Sequence, residues 1–497
     1  MNKPEKAGGI FMVIPKKLYS NLTDNIRLLK NTLPINKSFD IITREITLGS
    51  TSCFFIGLNG MCDLKIIQWL FADIESKDFQ TKATENSSSL PQFVKDQFFY
   101  AQITFTDSFQ EMIENLLSGP CLLFIDGYSQ GLIIDTRKYP SRSVEEPDTE
   151  KVIQGAKDGF TETLLTNCNL IRRRLRVPGL TFSLQKIGTF SNTDVAIAYL
   201  DNHCDKKLLD YVTKTLSSLE TSALTMGIQS LKELLIKKSI FHPMPGIFMT
   251  GRPDVACSYL AEGYLLLLVD NSPFACVLPC NLFQFTQSPE DYYKSPLVGT
   301  YIRLVRLLCF LISLFLMPLF LFFCFNPAWL PAFLQGMIPE DTGRIAIFVY
   351  VLFVEFGLDL FKYASAHSAN AFSGSFAIVG GLLLGDMAVS LNWTNEEVIF
   401  YGAATLLASL GIVSVELSDA VKMYRLFLVL LTGLFPRFGF FAGIGLILLS
   451  VLTTPVFGKK SYFWPLFPFS SKALRTLLFR YPTFKAQPEE KKSSVNK

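Results

Sequence analysis

The side chains best placed to do chemistry are acids set inside apolar segments. Glu355 and Asp359 lie four residues apart in FVEFGLDLFK, residues 353–362. A charged acid at the centre of a membrane helix costs about 2.5–3.5 kcal/mol on insertion scales, so each must face protein or water. Asp359 has a local partner in Lys362, three residues on along the same helical face. Glu355 has no such neighbour and lies deeper in its segment. Further along, Thr405, Ser409 and Glu416 fall on one stripe at offsets of four and seven. That stripe either lines water or bonds to neighbouring helices. These five residues form the candidate ion pathway, with Glu355 the first choice, because acidic side chains attract cations in channels.

Other chemistries find little support. The three histidines, His203, His242 and His367, show no HExxH and no Cys/His ligand spacing. No Walker loop, GxSxG elbow or strand-linked GxGxxG is present. No catalytic residue, cofactor or bound metal is therefore expected. Glu145, Glu146, Asp148 and Glu150 cluster around Pro147, where they suit a helix N-terminus better than a paired-acid site. The basic run Arg172–Arg176 has the composition to bind phosphate or an anionic lipid headgroup, but reads better as an exposed helical face paired with nearby acids.

The elements that must position these groups follow from hydropathy. Hydrophobic residues make up 49% of the 497 and charged residues 18%, below the roughly 25% charged of an average soluble domain. The apolar residues concentrate in the last third. Residues 307–325 carry no charge, enough for a helix of about 28 Å against a bilayer core of about 30 Å. Apolar stretches follow at 345–354, 371–385, 398–415, 426–435 and 438–457. Loop charges alternate in sign between these stretches, which places both termini on the cytoplasmic side. The run 426–435 is short, so either six crossings or four plus a re-entrant pair satisfies that parity. Ser373, Ala377, Gly381 and Gly385 recur every four residues, as do Gly439 and Gly443. Such small-residue faces allow close helix packing, within one chain or between several.

The first 296 residues alternate short apolar runs with charged clusters. GPCLLFID (119–126) with GYSQGLIID, and GYLLLLVD (263–270) with NSPFACVLP, both read as strand, turn and strand. Helical patterns lie between, including Phe109, Met112, Ile113, Leu116 and Leu117 behind the cap residue Ser108. The expected fold is thus an α/β soluble N-terminal region of two small lobes, 1–144 and 145–296, followed by an all-α polytopic membrane domain, 297–457, and a basic, aromatic tail, 458–497. The matching Gly and Asp spacing is explained either by duplication or by chance. A net charge of +3 gives no signal for nucleic acid. Ten cysteines without a CxxC pair suit a reducing compartment. The apolar run 10–14 is too short for a secretory signal.

Residues 145–180, EEPDTEKVIQGAKDGFTETLLTNCNLIRRRLRVPGL, closely resemble the signature of the GerA family of spore-germination proteins, the A-type subunits of nutrient receptors. FVEFGLDLFKYASAHS and VELSDAVKMYRLF are similar to the family's membrane region. The segments 38–46, 54–63 and 461–480 look most like one branch of it, although Ala369 stands where that branch carries proline. The resemblance implies a multi-pass inner spore membrane protein with its N-terminal region in the spore core. It further implies a homo-oligomeric ring that conducts monovalent cations across the lipid bilayer during germination. Its implied partners are other germination membrane proteins, including a small membrane partner and nutrient-receptor subunits. A non-conducting scaffold that recruits germination proteins is the alternative; a secondary transporter would require an inverted repeat, which the helices lack.

Overall fold

The computed structural model describes residues 17–86, 89–98, 101–139, 150, 152–153, 155–236, 242–339, 343–367, 385, 387–457 and 462–480. It divides into two compact units. One comprises the described residues up to Leu235 together with Met249–Pro279; the other comprises Ile236–Phe248 and the chain from Cys280 onward.

The first unit holds two five-stranded antiparallel sheets. Strands β1 (Ile41–Leu48), β2 (Thr51–Leu58), β3 (Gln102–Thr106), β4 (Cys121–Ile125) and β5 (Gly131–Asp135) lie in the order β1-β2-β4-β5-β3. Strands β6 (Leu180–Ile187), β7 (Thr193–Leu200), β8 (Phe248–Thr250), β9 (Leu265–Val269) and β10 (Ala275–Leu278) repeat that order as β6-β7-β9-β10-β8. The central strands β4 and β9 are buried along their full length, which is why both read as unbroken apolar runs rather than alternating ones. Helices α1 (Leu22–Thr32), α2 (Leu64–Glu75), α3 (Lys77–Glu85), α4 (Leu90–Gln97) and α5 (Phe109–Ser118) accompany the first sheet. Helices α6 (Leu164–Arg174), α7 (Lys206–Ser217), α8 (Ile228–Leu235) and α9 (Pro253–Ala261) accompany the second. Ser108 caps α5 by accepting from the Glu111 backbone, and the five apolar residues expected on its inner face are all buried.

The repeat extends to individual hydrogen bonds, which decides between duplication and chance. Asp126 Oδ1 accepts from Leu22 N at the start of α1, and Asp270 Oδ1 accepts from Leu164 N at the start of α6. Asn25 exchanges two bonds with the backbone of Tyr19, and Asn167 does the same with Thr161. Asp63 caps α2 through Lys65 N, as Asp205 caps α7 through Lys207 N. A coincidence of two glycines and two aspartates would not reproduce this network. All ten cysteines are free thiols.

Glu150 is the described member of the acidic cluster; Glu145, Glu146 and Asp148 lie outside the described residues. Its carboxylate accepts from Thr250 Oγ1 at 2.8 Å, and Arg252 Nη1 donates to its carbonyl at 3.0 Å. Burial pushes the Glu150 carboxyl from an ordinary 4.5 up to about 7, with Asp254 adding to the rise and Thr250, Arg252 and the Gly251 backbone opposing it. The folded chain therefore holds a proton between those values that the unfolded chain releases. Stability present below about pH 4.5 should decline as pH rises to about 7. The ceiling is roughly 3 kcal/mol, lessened by solvent screening at the partly exposed edge of this residue. Glu150→Gln should flatten this part of the thermal-stability profile; parallel profiles for the two proteins would show that Glu150 is not its source.

In the second unit α10 (Pro296–Phe325) packs against α12 (Glu396–Leu410) and α13 (Val415–Leu434). Helix α11 (Arg344–His367) lies against α10, α12 and α13, and α14 (Gly439–Leu452) returns along α13. A short helix, α15 (Ser471–Leu478), touches α10. Among the described residues α10 alone is both long and apolar enough to cross a membrane, and α14 is apolar but shorter. Two sequence boundaries need correction. The run 426–435 is the second half of α13, not a separate short segment, because the charged residues preceding it are also helical. The stretch 398–415 stops at Leu410, where Gly411 closes α12.

Gly439 and Gly443 serve contacts inside the chain. A Cβ at Gly439 would stand 2.0 Å from the carbonyl oxygen of Leu431, and one at Gly443 would stand 2.6 Å from Leu428 Cδ2. A Cβ at Gly385 would meet no described atom within 4 Å, and Ser373, Ala377 and Gly381 lie outside the described residues. Because backbone cannot swing aside as a side chain does, Gly439→Ala should destabilise the full chain by about 1–3 kcal/mol. Gly445→Ala, where an added Cβ meets nothing within 4 Å, should be neutral or slightly stabilising through helix propensity. Equal melting temperatures for the two variants would refute the close α13–α14 approach.

Candidate functional site

The signature segment forms α6 and joins the two lobes. Arg172, in the second lobe, donates from Nε at 3.0 Å and Nη2 at 2.8 Å to Asp40 Oδ2, beside the first strand of the first lobe. Ser38 Oγ donates to Asp40 Oδ1 at 2.5 Å and accepts from Phe182 N at 2.9 Å, while Phe39 N donates to Phe182 O at 3.2 Å. The Arg172 guanidinium lies 5.1 Å from the Phe182 ring centroid. Both charged side chains are 1% exposed. This corrects the reading of Arg172–Arg176 as a wholly exposed face. Arg173 does stack over Tyr139, and Arg174 pairs with Asp158, but Arg172 points inward. A fixed constellation of this kind sets the geometry of two lobes.

The helical unit contains the second constellation. Arg425 on α13 grips Glu355 on α11 through two bonds, Nε to Oε1 at 2.7 Å and Nη2 to Oε2 at 2.8 Å, and its Nη1 donates to Ser313 O and Oγ on α10. Lys422 pairs with Asp359 at 2.8 Å, and Lys362 pairs with Asp419 at 3.0 Å. The paired numbers change in opposite directions, as they must for antiparallel helices. Exposure rises steadily along the series. Glu355 and Arg425 are 1% and 6% exposed, Asp359 and Lys422 are 27% and 29%, and Lys362 and Asp419 are 40% and 60%. Three rungs thus run from the interior of the helices to their surface.

The structure redistributes the five residues expected on an ion pathway. Glu355 and Asp359 share the charged seam, but Asp359 takes its cation from α13 rather than from Lys362. Cross-helix geometry, which brings Lys422 within 2.8 Å, outweighs the local three-residue spacing. Thr405, Ser409 and Glu416 do not form one stripe, because Glu416 belongs to the first turn of α13 while the other two lie on α12. Thr405 is fully buried and donates back to Tyr401 O at 2.7 Å, and Ser409 donates to Leu406 O at 2.7 Å. Arg425, Lys422 and Asp419 were missed. A signal for them exists in the sequence: acids and a lysine at 355, 359 and 362 face the reversed series 425, 422 and 419, with opposite charge at each step.

A duplicated α/β module and a helical unit with a charged seam, one of whose helices can span a membrane, define a two-part protein. The chain belongs to the Bacillus/Clostridium GerA spore germination protein family, whose model it matches over residues 28–492. It is similar to stage V sporulation protein AF of Bacillus subtilis, with 31% identity covering 93% of both chains. It also resembles spore germination protein KA of the same organism, at 28% identity over 97% of this chain and 88% of the relative. Among solved structures it matches the N-terminal domain of the A subunit of the Bacillus megaterium spore germinant receptor GerK3. That match has 27% identity, covers 52% of this chain and 95% of the other, and has a TM-score of 0.41.

Proposed function

We propose that this protein acts in spore germination as a multi-pass membrane subunit that assembles with copies of itself and conducts monovalent cations. The observation that carries this reading is the seam of three ion pairs inside helices whose outer faces are apolar. Ile345 and Phe438, exposed by 82% and 77%, are surfaces suited to lipid. The α/β module then lies in the spore core with both termini, and the inner spore membrane holds the helices. Other germination membrane proteins, including a small membrane partner and nutrient-receptor subunits, are the partners consistent with the family. The middle rung, partly exposed and carrying both signs, is the place where passing ions would meet charge.

The buried Glu355–Arg425 rung favours a second reading, a non-conducting scaffold, since a carboxylate clamped by an arginine offers no free charge to a cation. Purified full chain in liposomes separates the two. On the channel reading a potassium gradient should dissipate. The Asp359→Asn, Lys422→Gln double variant should alter ion selectivity while the assembled mass stays unchanged. An intact oligomer that passes no potassium or sodium would leave the scaffold.

A further inference from the structure

At the start of α10 two guanidinium groups share one buried carboxylate, and a third, that of Arg480, is bonded to backbone close by. Arg303 Nε and Arg306 Nη1 and Nη2 donate to Asp291, whose side chain is fully buried. Arg303 Nη1 also donates to the carbonyls of Thr476 and Leu477 at the end of α15, at 3.2 and 3.3 Å, and Arg306 Nη1 to Thr286 O at 3.1 Å. Arg480 donates to the carbonyls of Lys294 and Tyr292. Glu290, beside Asp291 in sequence, is paired with Lys294 at 2.8 Å. Positive charge is therefore in excess here. Two of these donors, Arg303 Nη2 and Arg480 Nε, are buried without a partner among the described residues. Leaving such a donor unmet costs about 1–3 kcal/mol or more.

Arg303 is also the one charged side chain lining a small cavity, about 30 Å³, with Phe283, Thr286, Gln287, Leu307, Leu477 and Leu478. That space admits a water or one oxygen of a larger group. The surroundings are those of a membrane interface: Tyr301, Phe469 and Phe479 are exposed, and α15 presents the exposed basic residues Lys472 and Arg475.

We infer that this cavity receives a phosphate oxygen of an anionic phospholipid headgroup, held by Arg303 Nη2, with the neighbouring arginines supplying the field. The inference rests on the membrane reading of α10 and is independent of ion conduction. Native mass spectrometry of the detergent-purified full chain tests it, with phosphatidylglycerol, phosphatidylcholine and inorganic phosphate as separate probes. Phosphatidylglycerol should be retained in preference to phosphatidylcholine. Arg303→Lys keeps a cation for Asp291 but removes the unmet Nη2 donor, and should weaken that retention about fivefold. Arg475→Gln, on the outer surface of α15, should change it little. Equal retention of the two lipids, saturation by inorganic phosphate alone, or an equal loss in the Arg303→Lys and Arg475→Gln variants would each overturn the inference. Failure of the full chain to enter phosphatidylglycerol vesicles would overturn the membrane reading itself, a different result from entry without headgroup preference.

Discussion

Arg425→Met should destabilise the helical unit by about 3–5 kcal/mol, the usual consequence of leaving one member of a buried ion pair without the other. Glu355 is 1% exposed, and Arg425 supplies both of its bonds to charged nitrogen. Methionine of similar length would fill the space but leave two carboxylate oxygens unpaired. The double variant Glu355→Gln, Arg425→Met should recover much of the loss, since replacing both partners removes the uncompensated charge. Lys362→Gln, at the exposed end of the same seam, should cost less than about 1 kcal/mol. Thermal unfolding of the detergent-solubilised chain reads all three. If Arg425→Met melts like Lys362→Gln, water reaches Glu355 and the seam is open at its inner end.

Arg172→Leu should have an effect of comparable size on the α/β module, about 3–5 kcal/mol, because it strands Asp40 at the joint between the lobes. Hydrogen exchange should then accelerate in β6 and in the lead-in to β1, which are joined by the Phe39–Phe182 bond, before it does in the centres of the two sheets. Arg174→Gln, whose partner Asp158 is partly exposed, should leave exchange nearly unchanged. Uniform acceleration over both sheets with Arg172→Leu would mean that the lobes unfold as one block and that the joint is not a separate point of weakness.

Both hairpins of the α/β module were legible in the sequence because their signals are local: a glycine in the left-handed region before the strand, at Gly119 and Gly263, and an aspartate after it. Helix α5 was legible for the same reason, with a capping serine and an apolar face at helical spacing. What sequence reading lost was pairing at a distance. Asp359 was given to Lys362 because the two are three residues apart, yet its partner lies on α13. The inward turn of Arg172 was hidden in a basic run, although three consecutive helical residues fan over about 200° and cannot all face solvent beside a packed core. The first half of α13 was lost because Glu416, Asp419, Lys422 and Arg425 break its hydropathy. For Lys422 and Arg425, cross-helix partners on α11 make the charge compatible with the interior.

The order of charge along the seam also limits how α11 and α13 can move. Sliding α13 one turn in one direction would bring Glu355 opposite Lys422 but set Asp359 against Asp419. Sliding it the other way would bring Asp359 opposite Arg425 but set Lys362 against Lys422. Either slip trades an attractive rung for a repulsive one, so the pair has no second register to ratchet into. The two helices behave as a strut: any conformational change in the helical unit must swing them together or break the innermost rung outright.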